Sequence, residues 1–72
     1  MERKEAVALI RELIRLNLAH LSFIDIEKNE RGTYRIELKA NGDVNQIRAF
    51  LAKTDLVLLE DVEKGACAIY RP

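Results

Sequence analysis

The stretch Ser22-Phe23-Ile24-Asp25-Ile26-Glu27-Lys28-Asn29-Glu30-Arg31-Gly32-Thr33-Tyr34-Arg35-Ile36-Glu37-Leu38-Lys39-Ala40 decides the fold. In residues 33–40, Tyr34, Ile36, Leu38 and Ala40 fall on one face of an extended chain. Thr33, Arg35, Glu37 and Lys39 fall on the other. Such alternation marks a strand with one buried face. Residues 22–28 alternate well enough for a partner strand with Ile24 and Ile26 inward. Between them, Asn29 opens and Gly32 closes a four-residue turn, which suits a type I turn followed by a residue of positive φ. The stretch reads as a β-hairpin.

The hairpin is written twice. Glu30-Arg31-Gly32 recurs as Glu63-Lys64-Gly65, and a slide of about 33 residues also brings Ile14 onto Ile47, Leu18 onto Leu51, Ile26 onto Leu59, Glu27 onto Glu60 and Ile36 onto Ile69. The match is mostly apolar for apolar, so it leaves ancestry open while revealing an element order. Each half, 1–40 and 41–72, reads as one helix followed by a hairpin, and two such units are too few for a solenoid. They close on each other as a single domain, 1–72.

Residues 3–20 carry the strongest helix signal, rich in Ala, Leu, Ile, Glu and Arg and free of Gly and Pro. Ala6, Val7, Leu9, Ile10, Leu13, Ile14, Leu16 and Leu18 fill an arc of roughly 200°, wider than the ~100° that one sheet requires. The excess is expected to meet the second helix or another subunit. Asn17 interrupts this arc as a buried amide needing partners, either on a neighbouring strand or at a subunit interface. After Asn41-Gly42, Asp43 stands as an N-cap with Gln46 as its capping-box partner. A second helix over 43–53 buries Val44, Ile47, Phe50 and Leu51. Residues 56–62 and 66–71 complete the second hairpin.

The fold class is therefore α+β: a two-layer sandwich in α-β-β-α-β-β order, with a four-stranded sheet carrying both helices on one face. Joining the hairpins through their second strands places 33–40 and 66–71 centrally, with 22–28 and 56–62 at the edges. This is the sheet of a ferredoxin-like fold, circularly permuted so that the first strand comes last. Direct pairing of 33–40 with 56–62 is the competing topology.

The repeat also assigns faces. With Ile24, Ile26 and Ile36 inward, Val57, Leu59 and Ile69 follow, leaving Phe23, Leu56, Leu58, Val62, Ala66, Ala68 and Tyr70 on the open face. The first hairpin then has a charged outer face (Asp25, Glu27, Arg35, Glu37, Lys39) and the second an apolar one. Contiguous exposed apolar surface marks binding sites. A one-residue register slip in 56–62 would swap that strand's faces.

Seventy-two residues barely support one core, and the lone Cys67 forbids an internal disulfide. Zinc-ligand spacing is absent, so packing or oligomerisation must supply stability. The apolar fraction, 49%, argues against disorder. Twelve basic residues balance twelve acidic ones, which disfavours a nucleic-acid binder. No run of 18 apolar residues spans a membrane, and the mixed-charge start is not a signal peptide. With one unpaired thiol, a cytoplasmic setting is expected.

Chemistry is sparse. His20, at the expected end of the first helix, is a dipole-favoured cap rather than a general base, since no orienting acid or nucleophile lies near in sequence. Cys67 should be a buried, unreactive hydrophobe. A ferredoxin-type metal site needs paired cysteines in a loop, which this chain lacks. Gly42-Asp43 is a poor phosphate site because its cap is itself anionic. Arg3, Lys4, Arg11 and Arg15 make one basic stripe, bordered by Glu5 and Glu12. With Tyr70 as a base-stacking aromatic, that stripe is the alternative reading, an RNA-binding module. The leading expectation is a non-catalytic interaction module without cofactors that forms a homodimer through its open sheet face.

Overall fold

A computed structural model describes the backbone of all 72 residues and every side chain except that of Leu21. The chain is α+β, with two helices and an antiparallel sheet. The elements are α1 (Arg3–Arg15), β1 (Ala19–Lys28), β2 (Tyr34–Ala40), α2 (Val44–Leu51), β3 (Val57–Asp61) and β4 (Ala66–Tyr70). The sheet runs β1-β2-β4-β3. Ala6, Ile10 and Leu13 of α1 and Ile47 and Leu51 of α2 share one buried cluster with Ile36, Leu38, Leu58, Cys67 and Ile69. Both helices therefore cover the same sheet face. α1 lies over β1 and β2, and α2 over β3.

α1 stops at Arg15, well short of the residue 20 that its composition suggests. Leu16 is the C-cap, and Asn17 takes φ 59, the left-handed conformation that Asn tolerates better than most side chains. The Asn17 N–H donates to the Ile14 carbonyl at 2.9 Å and the Leu18 N–H to the Leu13 carbonyl at 2.8 Å. This is the hydrogen-bond pair of a Schellman motif, and Leu13 and Leu18 meet in the core beneath it. Asn17 is accordingly an exposed helix terminator, not a buried amide in the apolar arc. His20 does not cap the helix. It lies in β1, because the chain enters the sheet two residues after the left-handed turn.

β1 starts with an isolated Ala19↔Ala40 pair, shifts register, and then pairs regularly from Ile24↔Leu38 to Lys28↔Tyr34. Asn29 organises the turn beyond it. Its side-chain oxygen accepts from the N–H groups of Arg31 (2.9 Å) and Thr33 (3.0 Å), while Gly32, at φ 82, donates to the Asn29 carbonyl. α2 is capped by Asp43, whose carboxylate accepts from the Asn45 N–H at 2.9 Å. The Gln46 N–H reaches the Asp43 carbonyl instead of its side chain, so the expected capping box is replaced by a simple N-cap.

The faces of β3 are opposite to those the repeat assigns. Leu58 is buried at 8% exposure, while Val57 (37%) and Leu59 (59%) are open to solvent. The cause is one residue of loop. Residues 29–33 separate Lys28↔Tyr34 in the first hairpin, whereas only 62–65 separate Asp61↔Ala66 in the second. Ile36 pairs with Ile26, but its counterpart Ile69 pairs with Leu58 rather than Leu59. The period of a strand is two, so this single-residue difference inverts the whole of β3. Leu58 leaves the predicted interface for the core, and Leu56 packs against that core half-buried.

Candidate interaction surface

The sheet face away from the helices divides into two halves of different chemistry. On β1 and β2, Glu27 stands opposite Arg35 and Asp25 opposite Glu37. Arg35 donates to Glu27 at 3.1 Å and to Glu37 at 3.3 Å. Phe23, 38% exposed, has the Lys39 ammonium 5.6 Å from its ring centroid, a cation–π pair. One side of the ring thus meets a cation of its own chain, while the ring as a whole stays exposed. This half is mostly charged, and its arginine is paired within the chain.

The β3–β4 half is different. Its cross-strand pairs are Val57↔Tyr70, Leu59↔Ala68 and Asp61↔Ala66. Ala66 and Ala68 are less than a tenth exposed despite lying on the open face, because short side chains sit low between taller neighbours. They floor a shallow trough of about 310 Å³, with Leu59 and Val62 on one side and Arg35 and Glu37 on the other. Of the predicted patch, Ala66, Ala68 and Tyr70 thus lie on this face and Val62 protrudes from the adjoining turn. Leu56 and Leu58 do not contribute; Val57 and Leu59 replace them. Every position of 56–59 is apolar, so periodicity could not have chosen the pair, and the loop difference that decides it shows only in the strand register.

Glu60 follows the same parity. It points to the helix side, where Arg48 of α2 approaches it at 3.7 Å. Cys67 lies beneath at 3% exposure, and burial first, then the Glu60 charge, push its thiol pKa up. A raised pKa and burial leave it a protonated, unreactive packing residue.

The predicted basic stripe is exposed at Arg3, Lys4, Arg11 and Arg15, but it is not uniformly available. Arg15 is clasped by Glu12 one turn earlier, with its Nε donating at 3.2 Å. That contact lowers the Glu12 pKa and raises that of Arg15. His20 Nδ1 lies 2.6 Å from the Ser22 hydroxyl, a contact possible only because both sit on one strand. No acid orients the ring among the described residues. Among them, too, no group of three or more His, Cys, Asp or Glu is arranged to hold a metal, and no helix is long and apolar enough to cross a membrane.

Arg71, beyond β4, ties the fold's ends together. Its guanidinium donates to both carboxylate oxygens of Glu5 (2.8 and 2.6 Å) and both of Asp55 (2.7 and 3.0 Å). These hydrogen bonds lower the pKa of both acids and raise that of Arg71. Acids with depressed folded-state pKa contribute stability at pH above their unfolded values and lose it as pH falls through the folded ones. Arg71→Met should therefore lower the melting temperature modestly at neutral pH. The difference from wild type should close in acid and in high salt, because the cluster is exposed and screened. Thermal scans across pH check this, and a deficit that persists in acid would assign the effect to packing.

No protein-family model, curated protein or solved structure matches the chain.

Proposed function

We propose that the protein is a non-catalytic module that self-associates, two copies packing through the open face of β3 and β4. The observation that carries this is the unsatisfied apolar surface of Val57, Leu59 and Val62 beside a floor of alanines. A two-fold dimer is self-complementary: Leu59 of each copy enters the alanine-floored trough of the other. Bulk against hollow is the shape match that interface cores need. The flanking charges of Arg35 and Glu37 form a polar rim that fixes orientation more than it adds affinity. A chain this short gains from a partner what it lacks in core volume. The strand order also supports reading the sheet as a permuted ferredoxin-like arrangement, whose outer face is open for such packing.

Light scattering at tens of micromolar should give twice the monomer mass for the wild type. Leu59→Asp, a change on an exposed position, should give a folded monomer with unaltered circular dichroism. A strictly monomeric wild type would refute self-association, and an unchanged dimer in Leu59→Asp would refute this face.

A further inference from the structure

The connection between β2 and α2 contains Asn41-Gly42, and the structure gives this pair a role beyond that of a turn. Asn41 is exposed. Its side-chain amide donates to the Asn17 carbonyl at 3.2 Å and to the Asn17 side-chain oxygen at 2.8 Å. Its backbone N–H donates to the Leu18 carbonyl at 2.8 Å. One asparagine therefore clasps the left-handed residue that ends α1. Gly42 sits at φ 98 with open space where a Cβ would be, and among the described residues nothing accepts from its N–H. Gly42 thus presents a backbone nitrogen free of side-chain hindrance and uncommitted to hydrogen bonding, next to an asparagine side chain.

We propose that Asn41 is a site of spontaneous deamidation, and that its clasp on Asn17 controls the rate. The Gly42 nitrogen attacks the Asn41 side-chain carbonyl carbon and loses its proton. The bond from that carbon to the side-chain nitrogen breaks and ammonia leaves, giving a five-membered succinimide. Water then adds across either of the two ring carbonyls and opens the ring to aspartate or to isoaspartate. No oxidant or reductant takes part. While both side-chain hydrogen bonds hold, the amide is kept in place, so reaction requires local opening, which this exposed junction allows at low cost. The change is one-way in its consequence. A carboxylate at position 41 cannot donate to the Asn17 carbonyl, and the isoaspartate form adds a backbone atom two residues before the Asp43 cap. The junction of α1, β2 and α2 loosens as the protein ages.

Folded wild-type protein, incubated at physiological temperature and mildly alkaline pH, is digested with trypsin and analysed by fragmentation mass spectrometry. Peptide 40–48 should gain one mass unit and resolve into two products of equal mass, with the change at Asn41 and not at Asn45 of the same peptide. Asn17→Gly keeps the left-handed position, which glycine adopts readily, while removing the side-chain acceptor. It should deamidate several-fold faster, and Asn41→Gln should show no change. The inference is overturned if Asn41 stays intact in the folded wild type while a urea-unfolded sample converts, or if the mass gain falls on another residue. It is overturned equally if folded Asn17→Gly reacts at the wild-type rate. The wild-type measurement stands even if that variant fails to fold.

Discussion

Leu58→Asp is expected to unfold the protein, whereas Leu59→Asp, one residue along, leaves it folded. Both leucines lie on the five-residue strand β3, and in sequence nothing separates them. In the fold, Leu58 pairs with Ile69 under the helices at 8% exposure, and Leu59 pairs with Ala68 at 59%. Losing the buried leucine costs about 2–3 kcal/mol of burial alone. Placing a carboxylate there adds several kcal/mol more, since a buried charge without a partner must either be neutralised or drive the site open. Arg48 and Leu58 line one groove between α2 and β3, but the Arg48 guanidinium already faces Glu60. A domain of this size has a total stability on the order of 4–11 kcal/mol, so the combined cost takes most or all of it. Circular dichroism with urea titration at fixed protein concentration distinguishes the two variants. A cooperative, near-wild-type transition for Leu58→Asp would mean that the other face of β3 is buried.

The same pair of leucines shows how far this fold can be read from its residues. The α+β class, the two helices and the strands of an antiparallel sheet follow from periodicity and turn chemistry. Strong alternation in 33–40 and an Asn–Gly turn leave few alternatives there, and Asn29 and Gly32 do what turn residues of those types do. Residues 56–59 are apolar throughout, so their pattern has no phase. The repeat supplied a phase, and a loop shorter by one residue in the second hairpin made that phase wrong. The end of α1 was hidden for a different reason. Helix propensity continues through Leu16 and Leu18, and the stop comes from Asn17 adopting a left-handed conformation secured by two backbone hydrogen bonds and by Asn41, 24 residues away. Long-range partners of this kind leave no local mark in sequence. The asymmetry between a charged and an apolar outer half was legible because it depends on composition. The residues at its centre were not, because they depend on register.

Leu38→Ala should be the most damaging of the purely apolar truncations. β2 is a central strand, and Leu38 is completely buried, flanked by Ile24 on β1 and Cys67 on β4. Each neighbour is itself held by a sheet ladder, so the walls around the vacated space cannot collapse to fill it. Leu→Ala costs in cores range over about 2–5 kcal/mol, and rigid surroundings favour the upper part of that range. For a small domain, the urea dependence of stability is roughly 1 kcal/mol per molar, so the midpoint should fall by ~4 M with no change in slope. Ile36→Val removes one methyl from an equally buried position on the same strand, and should cost about 1 kcal/mol. Leu59→Ala, by contrast, should change the stability of the monomer by less than about 0.5 kcal/mol. If the protein dimerises through Leu59, that variant should lose stability only at high protein concentration, where association contributes by mass action. The core truncation destabilises at every concentration. The concentration dependence thus separates what the interior contributes from what the open face contributes, within a single sheet.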